Sequence, residues 1–577
     1  MRTRRSRARI TLAVLAIFAV VAVFVVRLID IQIVQADELN ADALEKRAQE
    51  LTTYGVRGDI VDTNGAVLAA SVERYDITAS PRSALGRQDA TTAVAEELAK
   101  ITAITGQNPA ELMAVLTADP ESDFAYLTKG VTLEVFQAVR DLDIPWVYFD
   151  LRPSRVYPNG ELAGNLIGFI GTDGPQAGLE ISEDECLAAT NGSAIYEKGE
   201  DGTRIPGSFV TTQEPKNGGT LHLTIDRDLQ FYIQQRMAQT YSELGAEWVT
   251  AVVMRVSDGH LLAVVDYPTV DPNDPSLARR DALGSRAFSW PYEPGSTMKA
   301  LTAASLVDAG VANPSTPVMA PGRIYLSDGG YIKDAWAHDD TPYTLTGALV
   351  DSSNTAFSLL SAGLDADTRR DYMLKFGLNE ETAVHFYSEA EGTVHETSDW
   401  DERTNYAVGF GQGLTLTAVQ LASAYQALGN GGVRTPVALV EGCEHPDGTV
   451  TDQPPTEGTR VISAEAARTT LDMMENVVSV GANGPNLQIP GYRMAAKSGT
   501  AEVAENGVYV DKSVISFAGL APAEDPQYVV VVAAGVPTSM VSSTDIATTF
   551  HDVMAQTLTT YRVLPSGQPS PALPLRW

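Results

Sequence analysis

The 577-residue chain holds only two cysteines, Cys186 and Cys443, and seven scattered histidines. No C-x-x-C, H-x-x-x-H or H-E-x-x-H pairing occurs, so a zinc site has no support, and neither a metal nor another cofactor is expected. Basic residues are scarce as well. Lys plus Arg number 41 against 73 Asp plus Glu, a formal net charge of −32. A surface this acidic argues against nucleic acid as a partner. No internal repeat is visible. The apolar fraction of 44% is enough for a large core, and the length suits two to four domains.

One long apolar run is present, Ile10 to Val26, broken only by Thr11 and followed by Arg27. Arg2, Arg4, Arg5, Arg7 and Arg9 precede it. A spanning helix needs about 20 such residues, and a terminal arginine can snorkel to the interface. The expected arrangement is a cytoplasmic tail at 1–9 and a single-pass anchor at 10–30, with everything beyond on the extracytoplasmic side of the plasma membrane. A signal peptide cleaved near Val34-Gln35-Ala36 competes, but Arg27 and Asp30 separate that site from the apolar run.

Residues 37–56 read as an Ala/Glu/Leu-rich helix. Thr63-Asn64-Gly65 between two β-branched runs predicts a hairpin. Residues 88–142 alternate helical stretches with turns, and 191–219 read as extended connections between short strands. Residues 31–216 thus form a module without a cluster of nucleophile, base and acid. From 217 the pattern changes. A strand at Leu221–Ile225 leads into a helix ending near Gly245, then a hairpin around Ser257-Asp258-Gly259. Helices follow at about 342–376 and 415–430. Strands are expected at Met494–Val503 and Tyr528–Val536, the second central because it is almost wholly apolar, and a helix at about 544–561 closes the domain. That order suggests an α+β domain, an antiparallel sheet covered by helices, over 217–562. Residues 563–577 hold four prolines and read as a disordered tail.

After the hairpin of the second domain, a further helix starts at Glu293-Pro294-Gly295-Ser296-Thr297-Met298-Lys299. A helix starting at this turn places Ser296 and Lys299 on one face. A serine hydroxyl needs an adjacent base, and a lysine serves as one only when burial or nearby positive charge keeps it neutral. Alone, S-x-x-K is far more often a helix cap with a snorkelling lysine. Two further segments follow in order: Ser352-Ser353-Asn354, and Lys497-Ser498-Gly499-Thr500 on a predicted strand. Each has a plainer reading, as a cap or turn and as an edge-strand charge with a bulge. A phosphate loop at Lys497 is excluded because it would need glycine at 496, which is alanine. Gly409-Phe410-Gly411-Gln412-Gly413 resembles a nucleotide loop only weakly, having no long strand before it.

As a set, these motifs resemble those of the penicillin-binding proteins, serine acyltransferases that cross-link peptidoglycan. The variants Ser-Ser-Asn and Lys-Ser-Gly fit that family better than class A β-lactamases. The resemblance extends to Arg57-Gly58, Gly178-Leu179-Glu180, Leu223–Asp226 with Gln230, and Phe517–Pro522. It implies a class B layout of anchor, elongated β-rich pedestal and transpeptidase domain. Within that class the chain is most similar to the septal cell-division type, with the elongation type as the alternative. The implied roles are Ser296 as nucleophile, Lys299 as base and Ser352 as proton relay. Asn354, Lys497, Ser498, Gly499 and Thr500 would bind a D-Ala-D-Ala stem peptide, with the Ser296 and Thr500 N–H groups as oxyanion hole. β-Lactams would acylate Ser296, and a membrane-embedded glycan polymerase and divisome proteins would be partners, since no glycosyltransferase domain is visible. Other readings are a D,D-carboxypeptidase or β-lactamase, a divisome scaffold, and a β-lactam sensor, for which nine cytoplasmic residues are too few. A disulfide between Cys186 and Cys443 is chemically permitted outside the membrane, but nothing in the sequence sets their distance.

Overall fold

The computed structural model describes residues 2–35, 48–87, 90–171, 173–197, 207–505, 508–536, 538 and 541–577. A helix spans Arg2–Ile29 and continues as one wider turn over Asp30–Val34. Its segment Arg7–Val34 is long and apolar enough to cross a membrane.

The helix expected over 37–56 is corrected where it can be seen. Residues 36–47 lie outside the described residues, and Ala48–Thr53 is a strand paired antiparallel with Gly192–Glu197. The pairing satisfies a backbone whose β-branched end, Thr52-Thr53, suits a strand better than a helix. The expected hairpin forms between Ile60–Val61 and Val67–Val72. Asp62 Oδ1 accepts from the N–H groups of Asn64 and Ala66 at 2.9 and 2.7 Å, and Gly65 takes a φ of +80° that an L side chain rarely adopts. Arg57 and Arg155 both donate to Glu180, at 2.8 and 2.7 Å, and Glu180 is fully buried. Distant segments of the N-terminal module are thereby pinned by a paired buried carboxylate.

Strand Thr220–Leu223 joins the two parts of the chain. Leu221 pairs in parallel with Ile60 on one side and antiparallel with Cys443 on the other. Beside this junction Cys186 and Cys443 are disulfide-bonded, with Cα atoms 5.9 Å apart. Cys186 lies in the short helix Asp184–Leu187 and Cys443 on the strand Val440–Glu444, and the fold brings them together across 257 positions, which is why sequence could not set their distance.

The C-terminal part is α+β, as expected. Its five-stranded antiparallel sheet runs in the order Leu261–Tyr267, Trp248–Arg255, Tyr528–Val536, Val508–Ala521, Ala495–Glu505. Tyr528–Val536 is central and buried throughout. Its side chains alternate between two cores. Val529, Val531 and Ala533 pack against the helix Ala418–Gly429 and share one core with the helices Met298–Asp308 and Ala464–Ser479. Val530, Val532 and Ala534 pack against Ala547–Thr560 and share the other core with Arg227–Leu244. The edge strand Ala495–Glu505 therefore lies on a rigid, doubly covered sheet, against the turn that carries Ser296.

The tail reading also needs correction. Residues 563–577 lie along this domain: Tyr492 Oη donates to Val563 O at 2.7 Å, and Thr344 Oγ1 donates to Pro574 O at 2.6 Å. Four prolines suppress regular structure, but they also lower the entropy lost when an extended segment is laid down, and side chains of the domain bind its carbonyls.

Candidate active site

Gly295 has a φ of +54°, and a tight turn over Gly295–Thr297 runs into the helix Met298–Asp308. A β-carbon at Gly295 would lie 2.7 Å from Thr500 O, so the edge strand presses directly on the turn. The opposite side is held by Gly409–Gly413. Gly295 N donates to Gly411 O at 2.9 Å, and a β-carbon on Gly411 would sit 2.0 Å from Gly295 O. Glu293 accepts from Gly413 N at 2.9 Å and from Tyr509 Oη at 3.1 Å. Tyr425 Oη donates to Thr297 O at 2.7 Å. The glycine-rich segment is thus a cradle for the Ser296 turn.

Lys299 is wholly buried and lies one turn beyond Ser296. Its Nζ is 2.9 Å from Ser296 Oγ, 2.6 Å from Ser352 O, 3.2 Å from Ser352 Oγ and 2.7 Å from Asn354 Oδ1. The Phe357 and Phe410 rings stand 5.8 and 5.9 Å away. Burial holds the Lys299 amine well below the usual lysine range, and the Lys497 charge pushes the same way, against the pull of Asp334. Lys497, on the edge strand, is 1% exposed, and burial brings it down to about 7. Its Nζ is 2.9 Å from Ser352 Oγ and 3.0 Å from Ser498 O. One hydroxyl, that of Ser352, lies between the two amines.

Ser352 adopts a left-handed φ of +60°. This conformation turns both its carbonyl and its hydroxyl toward Lys299. Ser353 next to it plays the plainer part, capping the helix Asn354–Ser361 by accepting from Ala356 N at 3.1 Å. Asn354 Nδ2 donates to Lys333 O at 3.1 Å.

Ser296, Lys299, Ser352, Asn354, Lys497 and Ser498 therefore meet in one cluster. Gly499 approaches the same turn so closely that a β-carbon would lie 2.7 Å from Pro294 O, and Thr500 follows it with an exposed side chain. Sequence reasoning missed Asp334. Its buried carboxylate accepts from Asn354 N, from Thr355 N at 3.0 Å and from His338 Nε2 at 2.9 Å. A lone aspartate after Ile332-Lys333 carries no signal that would single it out. Tyr425 was missed for the same reason, and Glu293, although it opens the serine motif, gave no sign that it would hold Gly413 and Tyr509.

This geometry can do acyl transfer: a hydroxyl beside a desolvated amine, a second hydroxyl shared with another amine, and a strand edge alongside. Comparison with known proteins agrees. The model of the penicillin binding protein transpeptidase domain matches residues 249–555, and that of the penicillin-binding protein dimerisation domain matches 52–223. The chain is 34% identical to penicillin-binding protein PbpB of Mycolicibacterium smegmatis, over 97% of this chain and 92% of that one. It is 30% identical to the peptidoglycan D,D-transpeptidase FtsI of Escherichia coli K12, over 88% and 84%. Among solved structures, a peptidoglycan synthetase from Bifidobacterium adolescentis superposes with a TM-score of 0.74 at 30% identity, covering 92% of this chain and all of that one. Penicillin binding protein 3 of Mycobacterium tuberculosis, complexed with aztreonam, gives 0.70 at 29%, covering 91% and all of that chain.

Proposed function

The chain belongs to the penicillin-binding proteins, as a septal class B peptidoglycan D,D-transpeptidase, and from that premise we propose how its residues divide the reaction. Ser296 Oγ attacks the penultimate D-Ala carbonyl of a donor stem peptide, and the neutral Lys299 amine takes its proton. The N–H groups of Ser296 and Thr500 receive the oxyanion, each such donor contributing on the order of 3–4 kcal/mol. Ser352 passes a proton to the departing D-Ala amine, leaving an ester on Ser296. Asn354 holds the donor amide, Lys497 supports the electrostatics around Ser352, and Ser498 and Thr500 bind the terminal carboxylate, with Gly499 allowing the strand to approach closely. The side-chain amine of a second stem peptide attacks the ester, closes the cross-link and frees Ser296. The observation that carries this reading is the 2.9 Å approach of the buried Lys299 amine to Ser296 Oγ.

The wider arrangement belongs to the same proposal. Residues 10–30 anchor the chain with residues 1–9 in the cytoplasm, 31–216 act as pedestal and 217–562 as transpeptidase domain. A glycan polymerase and other divisome proteins act alongside it in the membrane.

Incubation with a D-Ala-D-Ala-ended donor, with and without an acceptor amine, tests the reaction class. Cross-linked product that accumulates only with the amine, alongside stoichiometric D-Ala, is the expected result. Hydrolysed donor as the main product under both conditions would instead support the carboxypeptidase reading.

A further inference from the structure

The C-terminal residues make a continuous set of contacts with the helix Leu345–Val350, which leads into Ser352, and with the neighbouring helix Ala464–Ser479. Asn476, 2% exposed, grips the segment twice: its Nδ2 donates to Pro571 O and its Oδ1 accepts from Leu573 N, both at 3.1 Å. Thr344, which caps the helix Leu345–Val350, donates from Oγ1 to Pro574 O at 2.6 Å and from its N–H to Leu575 O at 3.2 Å. Within that helix, Gly347 meets the segment so closely that a β-carbon would lie 1.9 Å from Leu575 O. At the helix end, Arg576 Nη2 is 2.7 Å from Asp351 Oδ2, and its guanidinium stacks 3.9 Å from the centre of the buried Tyr343 ring.

The helix Leu345–Val350 is thus held at its start, in its body and at its end. The residue after Asp351 is Ser352, in the left-handed conformation that a serine seldom adopts. Such a residue is strained and persists only where its surroundings over-determine it. Its carbonyl and hydroxyl both depend on that conformation to reach Lys299 and Lys497.

We infer that Pro571–Trp577 is a strap that fixes the Ser352 turn, and that Arg576, through Asp351, is a positioning residue for acylation of Ser296. The inference rests on the roles proposed above for Ser352 and Lys299. Arg576 and Asp351 have side chains 44% and 34% exposed, so their pairing adds little to global stability. Its effect is on the placement of reacting groups, where small displacements are costly.

The test uses the full chain, a fluorescent penicillin, and the variants Arg576→Ala, Arg576→Lys, Asp351→Asn and the double Asp351→Asn/Arg576→Ala. The limiting rate constant of acylation, the penicillin concentration at half-maximal rate, and Tm are read together. The limiting rate constant is expected to fall on the order of 10-fold in Arg576→Ala and in Asp351→Asn, with the half-maximal concentration little changed. Arg576→Lys should recover part of the loss, and the double variant should be no slower than the worse single, because both remove one interaction. Tm should stay within about 2 °C of wild type. An unchanged limiting rate constant in both single variants would overturn the inference, as would a loss confined to the fraction of active protein alongside a lower Tm. Failure of the underlying reading looks different: wild type itself would not be acylated, or Ser296→Ala would still label.

Discussion

Replacing Lys299 by alanine is expected to slow acylation of Ser296 by roughly 10²- to 10⁴-fold, the span over which a positioned proton acceptor acts. No other side-chain nitrogen is recorded within hydrogen-bond distance of Ser296 Oγ among the described residues. Lys497, the next amine, bonds to Ser352 and Ser498 rather than to Ser296. Lys299→Arg should not rescue, because a guanidinium keeps its proton at all accessible pH values. The fold should survive. The alanine variant leaves Ser352 O and Asn354 Oδ1 without one donor, at about 1–3 kcal/mol each if dry, but it also removes a buried amine whose own desolvation opposes folding. Stopped-flow acylation by a fluorescent penicillin, with Tm measured beside it, checks both parts. A rate within about 10-fold of wild type would remove Lys299 from the role of base.

The second large effect is on stability, and it follows pH. Lys497 titrates near 7 in the folded protein, whereas an unfolded lysine does so near 10.4. Between these values the unfolded chain binds one more proton than the native state, so this group makes the protein more stable as pH rises through the window. The slope is at most about 1.4 kcal/mol per pH unit. Lys299, also lowered by burial, acts with the same sign. Below about 7 the difference for Lys497 no longer changes with pH, and the folded state carries its full cost. Lys497→Met should therefore be more stable than wild type at pH 7, and that advantage should shrink between pH 7.5 and 9. Urea unfolding of both proteins at several pH values reads the difference. Parallel curves would mean that the amine is better solvated than its 1% exposure implies. Two lysines kept dry at this cost, beside a serine, mark a place where stability is given up for chemistry.

Much of the site was legible because its elements obey local rules. Three-residue spacing after a Pro-Gly turn is enough to place Ser296 and Lys299 together, and an apolar nine-residue run, Tyr528–Val536, reads as a central strand without further information. Lys497 on a strand with a following glycine is similarly local. What escaped is what depends on partners far along the chain. Ala48–Thr53 is a strand because Gly192–Glu197 lies beside it, although its first residues, Ala48-Gln49-Glu50-Leu51, have the composition of a helix. The fourteen-residue strand Val508–Ala521 is interrupted near its start by the polar stretch Asp511-Lys512-Ser513, which hides a sheet position settled by neighbours on both sides. Gly409–Gly413 looks like a loop for a ligand and proves to be a loop for the protein's own Ser296 turn. Asp334 and Arg576 act across folds of the chain with no motif around them, and a proline-rich terminus reads as disorder until Asn476 and Thr344 are seen to bind it.

The account's central claim is that Ser296 is the acylated residue, activated where the three motifs meet. Labelling the purified protein with a fluorescent penicillin, followed by peptide mapping of the adduct in wild type and in Ser296→Ala, tests it most directly. One adduct per chain, on Ser296 and absent from the variant, is the predicted result. An adduct on another residue, a label that persists in a folded Ser296→Ala protein, or no label on folded wild type would contradict it.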